Sequence, residues 1–251
     1  MHKLRIIPTL LFKNLKLVKG IKFKSWRTVG SIMQAVRIYN LRQVDELILL
    51  DVYATNNKKK VDLEMVNEIA NECFMPLTFG GGINSIKDIS NLLKAGADKV
   101  SINTSATKNL RFINEACKTF GGQSIVASVD YKKEGNNIIV YSNSGTFKTN
   151  LNFFDYLKDL EGAGVGEVIL TSIDRDGTME GYDKEVLKMS AKNLKIPIIA
   201  SGGAGDYHDM LDTVQNSKIS ALAAASIYHF TNKTPLDVKK FLNYNNIPVR
   251  L

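Results

Sequence analysis

The chain contains few residues of the types that build disulfide frameworks or metal centres. Its 251 residues include two cysteines, Cys73 and Cys117, and three histidines. Two isolated thiols are too few for a disulfide scaffold or a zinc site, and they are typical of a reduced compartment. The sequence therefore predicts no metal site, and it predicts no cofactor either.

Long apolar runs and concentrated charge are also missing. No stretch has the layout of a signal peptide or the apolar length of a membrane span, so the sequence predicts a cytoplasmic protein without a membrane partner. The formal net charge is +8, but the basic residues are spread along the chain, and the many Lys, Asn and Ile residues indicate coding bias. This distribution predicts no nucleic-acid partner and leaves phosphorylated small molecules as candidate ligands.

Strand-like and helix-like segments alternate from end to end. The predicted strands are 5–11, 46–52, 75–79, 99–102, 124–130, 167–172, 196–200 and 221–225. Helical periodicity marks segments 33–43, 62–73, 86–95 and 109–120. This series predicts an α/β fold, a single (β/α)8 TIM barrel. Because no linker rich in Pro, Gly or Ser interrupts the series, residues 1–251 are expected to form one domain.

A glycine turn between two strand-like segments is the first candidate binding site. Gly80, Gly81 and Gly82 follow a short apolar strand and open a helix, and the next strand ends in Asn103 and Thr104. Glycines let the backbone approach a ligand closely, and N–H groups at such a turn favour an anion such as phosphate. A turn required only for packing is the alternative.

The pattern recurs half a chain later. Segment 198–205 again places glycines after an apolar strand, segment 221–226 repeats the second strand, and segment 46–51 resembles 167–172. Such a repeat predicts an internal half-barrel duplication with equivalent roles for the two glycine turns. Two phosphate sites would suit a ligand that carries phosphates at both ends.

Acidic residues follow several strands at the expected mouth of the barrel, namely Asp51, Asp130, Asp174 and Asp176. In these barrels the active site lies at the carboxyl ends of the strands. Asp130 closes a buried strand, where a perturbed carboxylate can exchange protons near neutral pH. The alternative is a carboxylate that only accepts hydrogen bonds from loop amides.

The loop after the first strand, 13–27, is long and basic. It is interpreted as a lid over a phosphorylated ligand, with Lys19 reaching inward. Solvated lysines on a mobile hairpin are the alternative.

Charged residues also stand at the starts of four predicted strands, at the floor of the barrel: Arg5, Glu46, Lys99 and Glu167. Their signs alternate, so a ring of ion pairs is expected. The ring would either plug the floor or gate a passage along the barrel axis.

Together these features resemble the cyclase subunit of imidazole glycerol phosphate synthase. The resemblance covers nearly the whole chain, and its most specific pieces are 79–83, 96–104, 170–178 and 199–205. It implies a barrel that receives ammonia from a glutaminase subunit docked on its floor. The ammonia would attack a bis-phosphorylated ribulosyl formimino substrate and give imidazole glycerol phosphate and an aminoimidazole carboxamide ribotide.

The resemblance also implies roles for matching residues. Asp130 would be the general acid, Lys19 would belong to the mobile loop, and Asp51 and Asp176 would lie in the mouth. One phosphate would be held by Gly82, Asn103 and Thr104, and the other by Gly177, Gly203, Ala225 and Ser226. The ammonia gate would consist of Arg5, Glu46, Lys99 and Glu167, and the partner face would include Asp98 and Lys99.

One departure from the family pattern concerns the acid/base pair. The family's first strand ends in a Cys-Leu-Asp-type motif whose aspartate is the second catalytic carboxylate, but here Leu11 occupies that place. Leucine cannot accept a proton, and losing a general base typically costs ~10² to 10⁴ in rate. Smaller departures are Thr9 for the usual Cys, Asn150 for a Gly and Tyr156 for a Trp.

Three functions are compatible with this pattern. The first expected function is a synthase-type subunit that conducts ammonia to a different acceptor, as in sugar amidation for surface polysaccharides, where a third protein performs the amidation. The alternative is an authentic cyclase of histidine biosynthesis. A related sugar-isomerase barrel is disfavoured, because it uses paired strand-end aspartates and has no reason to keep gate residues.

Overall fold

The computed structural model describes residues 3–57 and 60–251, so four residues of the predicted domain 1–251 lie outside the described residues. The strands in these ranges are β1 (Arg5–Lys13), β2 (Lys16–Ile21), β3 (Lys24–Ser31), β4 (Leu47–Asp51), β5 (Leu77–Gly80), β6 (Lys99–Ile102), β7 (Ile125–Glu134), β8 (Asn137–Ser142), β9 (Phe147–Asn152), β10 (Glu167–Ser172), β11 (Ile198–Ser201) and β12 (Ala221–Ala224).

The helices in the same ranges are α1 (Ile32–Leu41), α2 (Leu63–Glu72), α3 (Ile86–Lys94), α4 (Thr104–Lys108), α5 (Leu110–Phe120), α6 (Phe153–Ala163), α7 (Lys184–Asn193), α8 (Tyr207–Asn216), α9 (Ser226–Phe230) and α10 (Pro235–Tyr244). A short 3₁₀ turn spans Gly122–Ser124. None of the helices in the described part of the chain has the length and apolarity needed to cross a membrane.

The strands close into a parallel barrel. Along the described chain the parallel pairings run β1–β4–β5–β6–β7–β10–β11–β12 and return to β1. The (β/α)8 prediction is confirmed, and β6 and β10 have the predicted bounds. The other six barrel strands differ from the prediction by a few residues at their ends.

Two antiparallel hairpins extend from the mouth of the barrel. The lid hairpin, β2 and β3, pairs with the end of β1, where Leu11 lies opposite Val18. The second hairpin, β8 and β9, continues from β7, where Asp130 lies opposite Tyr141. The predicted basic loop is therefore folded as a hairpin, and the second hairpin was missed.

Strand alternation determines what faces the barrel axis. Because successive side chains point to opposite faces, positions 5, 7, 9 and 11 of β1 share the inner face. The middle of the interior is filled by an apolar cluster of Ile7, Ile48, Val126, Ile169, Ile199, Ala221 and Ala223. A larger apolar cluster packs the outer strand faces against the helices. The charged residues at the strand starts therefore lie on one side of this apolar layer, and the polar and acidic residues at the strand ends lie on the other.

Candidate functional site

A cavity of about 710 Å³ lies at the carboxyl ends of the barrel strands. Its walls come from the strand ends, the glycine turns and both hairpins. Phe23 and Trp26 of the lid hairpin and Asn143 and Ser144 of the second hairpin line it from above. We refer to this space as the mouth cavity, and it is large enough for a drug-sized ligand.

Asp130 lies in the wall of the mouth cavity and is buried. Its carboxylate accepts a hydrogen bond from Asn103 Nδ2 at 3.2 Å, and the same amide donates to the Ser128 carbonyl at 2.9 Å. Burial, assisted by the negative charge of Asp176, raises the pKa of Asp130 to about 7. A carboxyl group with this pKa can donate or accept a proton near neutral pH.

Leu11 lines the same cavity on β1. It pairs in register with Leu50 of β4, whose side chain also lines the cavity, so this part of the rim is aliphatic. Thr9 lies two residues earlier on the same face, and its buried hydroxyl has no hydrogen-bond partner in the described part of the chain. The cavity thus has an acid on the β7 side and an apolar wall on the β1 side.

The lid hairpin is held closed by a buried ion pair. Lys19 Nζ donates to Asp176 Oδ1 at 2.7 Å and to Oδ2 at 2.9 Å, and the lysine side chain is only 2% exposed. The amide of Lys22 also donates to the carbonyl of Asp176 at 2.8 Å. The structure therefore places Lys19 inside the mouth, and the solvated-lysine alternative does not describe it.

Gly177 lets the lid come close. Its φ is +77°, in the left-handed region, and an added Cβ would collide with the backbone of Gly20 in the lid. Phe23 at the lid tip packs over Gly145 of the second hairpin. The two hairpins therefore meet above the cavity and close part of its opening.

The first predicted phosphate cradle lies on one side of the cavity. Gly82, Asn103 and Thr104 all line it. The Gly82 amide donates to Thr55 Oγ1 at 3.3 Å, and Thr104 Oγ1 accepts from the Asn143 amide at 3.0 Å. These groups are brought together as the sequence predicts, but a bound phosphate would have to share or replace some of these contacts.

The second predicted cradle lies across the mouth. Gly177, Gly203, Ala225 and Ser226 all line the cavity. Ser226 is buried, and its hydroxyl has no hydrogen-bond partner within residues 3–57 and 60–251. Leaving such a group unpaired costs free energy, so a ligand oxygen that bonds to it would recover that cost.

The remaining predicted acids have different surroundings. Asp51 lines the cavity, but its Oδ1 accepts from the amides of Tyr53 and Ala54 at 2.8 and 3.0 Å. Asp174 is not among the residues that line the cavity, and its carboxylate accepts from the Lys133 amide at 2.9 Å. Both therefore resemble the loop-binding alternative more than Asp130 does.

A closed ring of ion pairs occupies the floor, at the opposite end of the barrel. Arg5 donates to Glu46 at 2.6 Å and to Glu167 at 2.5 Å, and Lys99 pairs with Glu46 at 3.1 Å and also with Glu167. Burial opposes the charged form of Glu167, but hydrogen bonds from Arg5 and Lys99 outweigh it and lower its pKa. We call these four residues the charged ring.

Asp98 stands beside the ring without joining it. It is exposed, and its Oδ2 accepts from the Leu77 amide at 2.8 Å, which ties the starts of β5 and β6 together. This position leaves Asp98 on the outer floor of the barrel.

Several cavity residues were not predicted. Ser128, Thr171 and Ser201 line the mouth, and Ser128 and Thr171 share the inner face of their strands with Asp130 and Glu167. The period-2 alternation of each strand was a sufficient signal for them. The residues at the two hairpin tips were harder to predict as cavity residues, because they line the cavity only when the hairpins fold over the mouth.

Known proteins are similar to this chain over most or all of its length. The family model described as "Histidine biosynthesis protein" matches residues 5–234. The chain is 44% identical, over the full length of both proteins, to a Campylobacter jejuni protein provisionally named imidazole glycerol phosphate synthase subunit hisF2. It is 41% identical to the HisF subunit of the same synthase from Chlorobium phaeovibrioides, over 98% of each chain. The HisF subunit of Clostridium botulinum is 40% identical over the full length of both chains.

Proposed function

Because the chain belongs to the histidine biosynthesis protein family, with full-length relatives named as imidazole glycerol phosphate synthase subunits, we propose that it is the synthase-type subunit of a glutamine amidotransferase complex. In this proposal a glutaminase subunit docks on the floor near Asp98 and Lys99. Ammonia then passes the charged ring and the apolar interior and reaches the mouth cavity.

We further propose that the ammonia leaves for an acceptor other than the cyclase substrate. The observation that carries this step is Leu11 in the wall of the mouth cavity, where the family places its second catalytic carboxylate. Asp130 can act as the general acid, but the cyclisation also needs a general base on the opposite side of the substrate, and Leu11 cannot be that base. Sugar amidation by a third protein is the acceptor reaction that we consider first.

The ring and the cavity support the conduit part of the proposal. Arg5, Glu46, Lys99 and Glu167 are all paired, so a passage along the axis opens only when one pair separates. Ammonia is small and neutral, so the apolar layer above the ring excludes charged species more strongly than it excludes ammonia. A phosphorylated ligand in the mouth would bind to both cradles beneath the lid hairpin.

An authentic cyclase is the second candidate. The retained cradles and the raised pKa of Asp130 favour it, because both are what a cyclisation at neutral pH requires. Asp51 or Asp176 would then have to act as the second proton-transfer group, although Asp51 accepts from two loop amides and Lys19 holds Asp176 in an ion pair.

Steady-state turnover of the formimino substrate with ammonium salts separates the two candidates. The proposal expects no turnover at ordinary cyclase rates in the unmodified protein, and a gain in Leu11→Asp. Leu11→Asn is the matched control, because it adds polarity without a titratable carboxyl. Turnover at ordinary cyclase rates in the unmodified protein would rule out the hypothesis that the subunit only conducts ammonia to another acceptor.

A further inference from the structure

The start of β1, which carries Arg5 of the charged ring, is held at three consecutive residues. The Leu4 amide donates to the Pro248 carbonyl at 2.7 Å, and the Arg5 amide donates to the Ser220 carbonyl at 3.2 Å. The Ile6 amide donates to a side chain, Asp45 Oδ2, at 2.8 Å. Only the last of these anchors depends on a side chain, so a substitution can remove it.

Asp45 is itself fixed by a buried lysine of the C-terminal helix. Lys239 Nζ on α10 donates to Asp45 Oδ1 at 2.9 Å and to the Gln43 carbonyl at 2.8 Å. Lys239 is 1% exposed and Asp45 is 7% exposed. An unpaired buried ammonium or carboxylate is costly, so both groups are kept in this one arrangement.

We propose that Lys239 is a positioning residue for the charged ring. Asp45 directly precedes Glu46, and Ile6 directly follows Arg5, so the bond from the Ile6 amide to Asp45 joins the two chain segments that carry these ring partners. By holding Asp45, Lys239 sets the spacing at which Arg5 meets Glu46 at 2.6 Å. The inference rests on the proposed function only in that the ring is taken to be the ammonia gate.

A role confined to general stability is the alternative. In that case Lys239 would hold α10 against the barrel, and its loss would weaken the whole fold evenly. A positioning role instead predicts that the starts of β1 and β4 become locally less ordered, and that this loss of order exceeds any loss elsewhere in the barrel. The distinction can be measured on the protein without its partner.

The experiment compares Lys239→Met with the parent protein. Hydrogen exchange is followed at the Ile6 amide and in β7, and the rate of reductive methylation is followed at Lys99 and at the exposed Lys24. Arg37→Met, which removes an exposed ion pair with Glu72, controls for loss of a cation. Val186→Ala, a core truncation on α7, controls for general destabilisation.

The expected result is exchange at Ile6 that is faster by roughly tenfold or more, because Asp45 without Lys239 turns toward water and the Ile6 amide loses its hydrogen bond to a charged group. The rate of methylation at Lys99 should also rise. Hydrogen exchange in β7 and methylation at Lys24 should change no more than they do in the Val186→Ala control. An even rise over the barrel, or no change at Ile6 and Lys99, would overturn the proposal.

A double variant covers the case in which Lys239→Met does not fold. Lys239→Met with Asp45→Asn leaves no buried charge unpaired, so the fold should be retained. Faster exchange at Ile6 and faster methylation at Lys99 are still expected, because the side chain at position 45 no longer has Lys239 to fix its orientation. Neither readout needs ammonia transfer, so the positioning role can fail or stand independently of the proposed function.

Discussion

The buried ion pair between Lys19 and Asp176 allows a prediction about the lid hairpin. Removing one partner of a buried pair usually costs ~3–5 kcal/mol if the other charge stays buried. Here the remaining charge has an escape, because the lid can open and expose Asp176 to water. The cost of Lys19→Met should therefore appear as lid opening, with little loss of global stability.

The size of the effect follows from the bonds lost. Lys19 donates two charge-assisted hydrogen bonds, at 2.7 and 2.9 Å, to a carboxylate that is partly accessible. Because both bonds join one ammonium to one carboxylate, we count them as a single charge-assisted interaction of about 1.5–3 kcal/mol. The open population should then rise by roughly 10- to 150-fold. The bond from the Lys22 amide and the stacking of Arg27 on Phe230, at 4.0 Å, remain to oppose opening.

The single tryptophan of the chain reports the change. Trp26 lies on β3 of the lid hairpin and lines the mouth cavity, so opening should shift its emission to longer wavelength. Thermolysin cleavage within 14–31 should accelerate by the same factor as the open population. Lys24→Met, which removes an exposed lid lysine, is the control for lost charge.

Two outcomes would refute the reasoning. One is a large fall in the free energy of unfolding with unchanged Trp26 emission, which would mean that the lid cannot open separately from the barrel. The other is unchanged cleavage in Lys19→Met, which would mean that the ion pair contributes no net closing energy.

Three other predictions concern the ring, the second cradle and Asp130. In the Leu11→Asp background, where cyclase turnover is expected, Lys99→Ala should lower the product formed per glutamine hydrolysed, while ammonium-supported turnover stays unchanged; unchanged coupling would make the ring a structural plug. Ser226→Ala should weaken binding of inorganic phosphate, measured by calorimetry, by about fivefold without lowering stability, because the hydroxyl has no partner to lose among the described residues. A loss of stability without a loss of affinity would contradict this. The free energy of unfolding should fall as pH rises from about 4 to about 7, because native Asp130, with its pKa raised to about 7, keeps its proton longer than the unfolded chain does. Asp130→Asn should flatten that slope, and an unchanged slope would show that other groups cause it.

The barrel and the charged ring could be predicted from the sequence because strand-like segments alternate with helix-like segments along the chain, and the ring residues stand where strands start. Once Arg5 and Glu167 were placed at strand starts, the closed barrel brought them together at 2.5 Å. The same logic predicted Asp130 in the mouth. It also predicted that the Asp130 carboxylate is perturbed, but not that the charge of Asp176 contributes to the raised pKa.

The two hairpins show why the rest was harder to predict. The lid turns place Asn14, Leu15, Lys22 and Phe23 at positive φ, a conformation that glycine adopts much more readily than leucine, lysine or phenylalanine. The turn signal was therefore weak. The second hairpin was predictable in principle, because Gly135 lies at its turn between two alternating segments.

The barrel interior has a charged floor, an apolar middle and a polar mouth, and this order has a consequence for how such proteins evolve. On β1, the floor residue Arg5 and the rim residue Leu11 are six positions apart, which is about 20 Å of strand at 3.3 Å per residue. An apolar layer, which includes Ile7 between these two positions, separates the two ends. A mutation at the rim can therefore alter or abolish one chemistry while the delivery route is inherited intact. Under the proposed function, delivery and use of ammonia are separable traits that can diverge at different speeds within one chain.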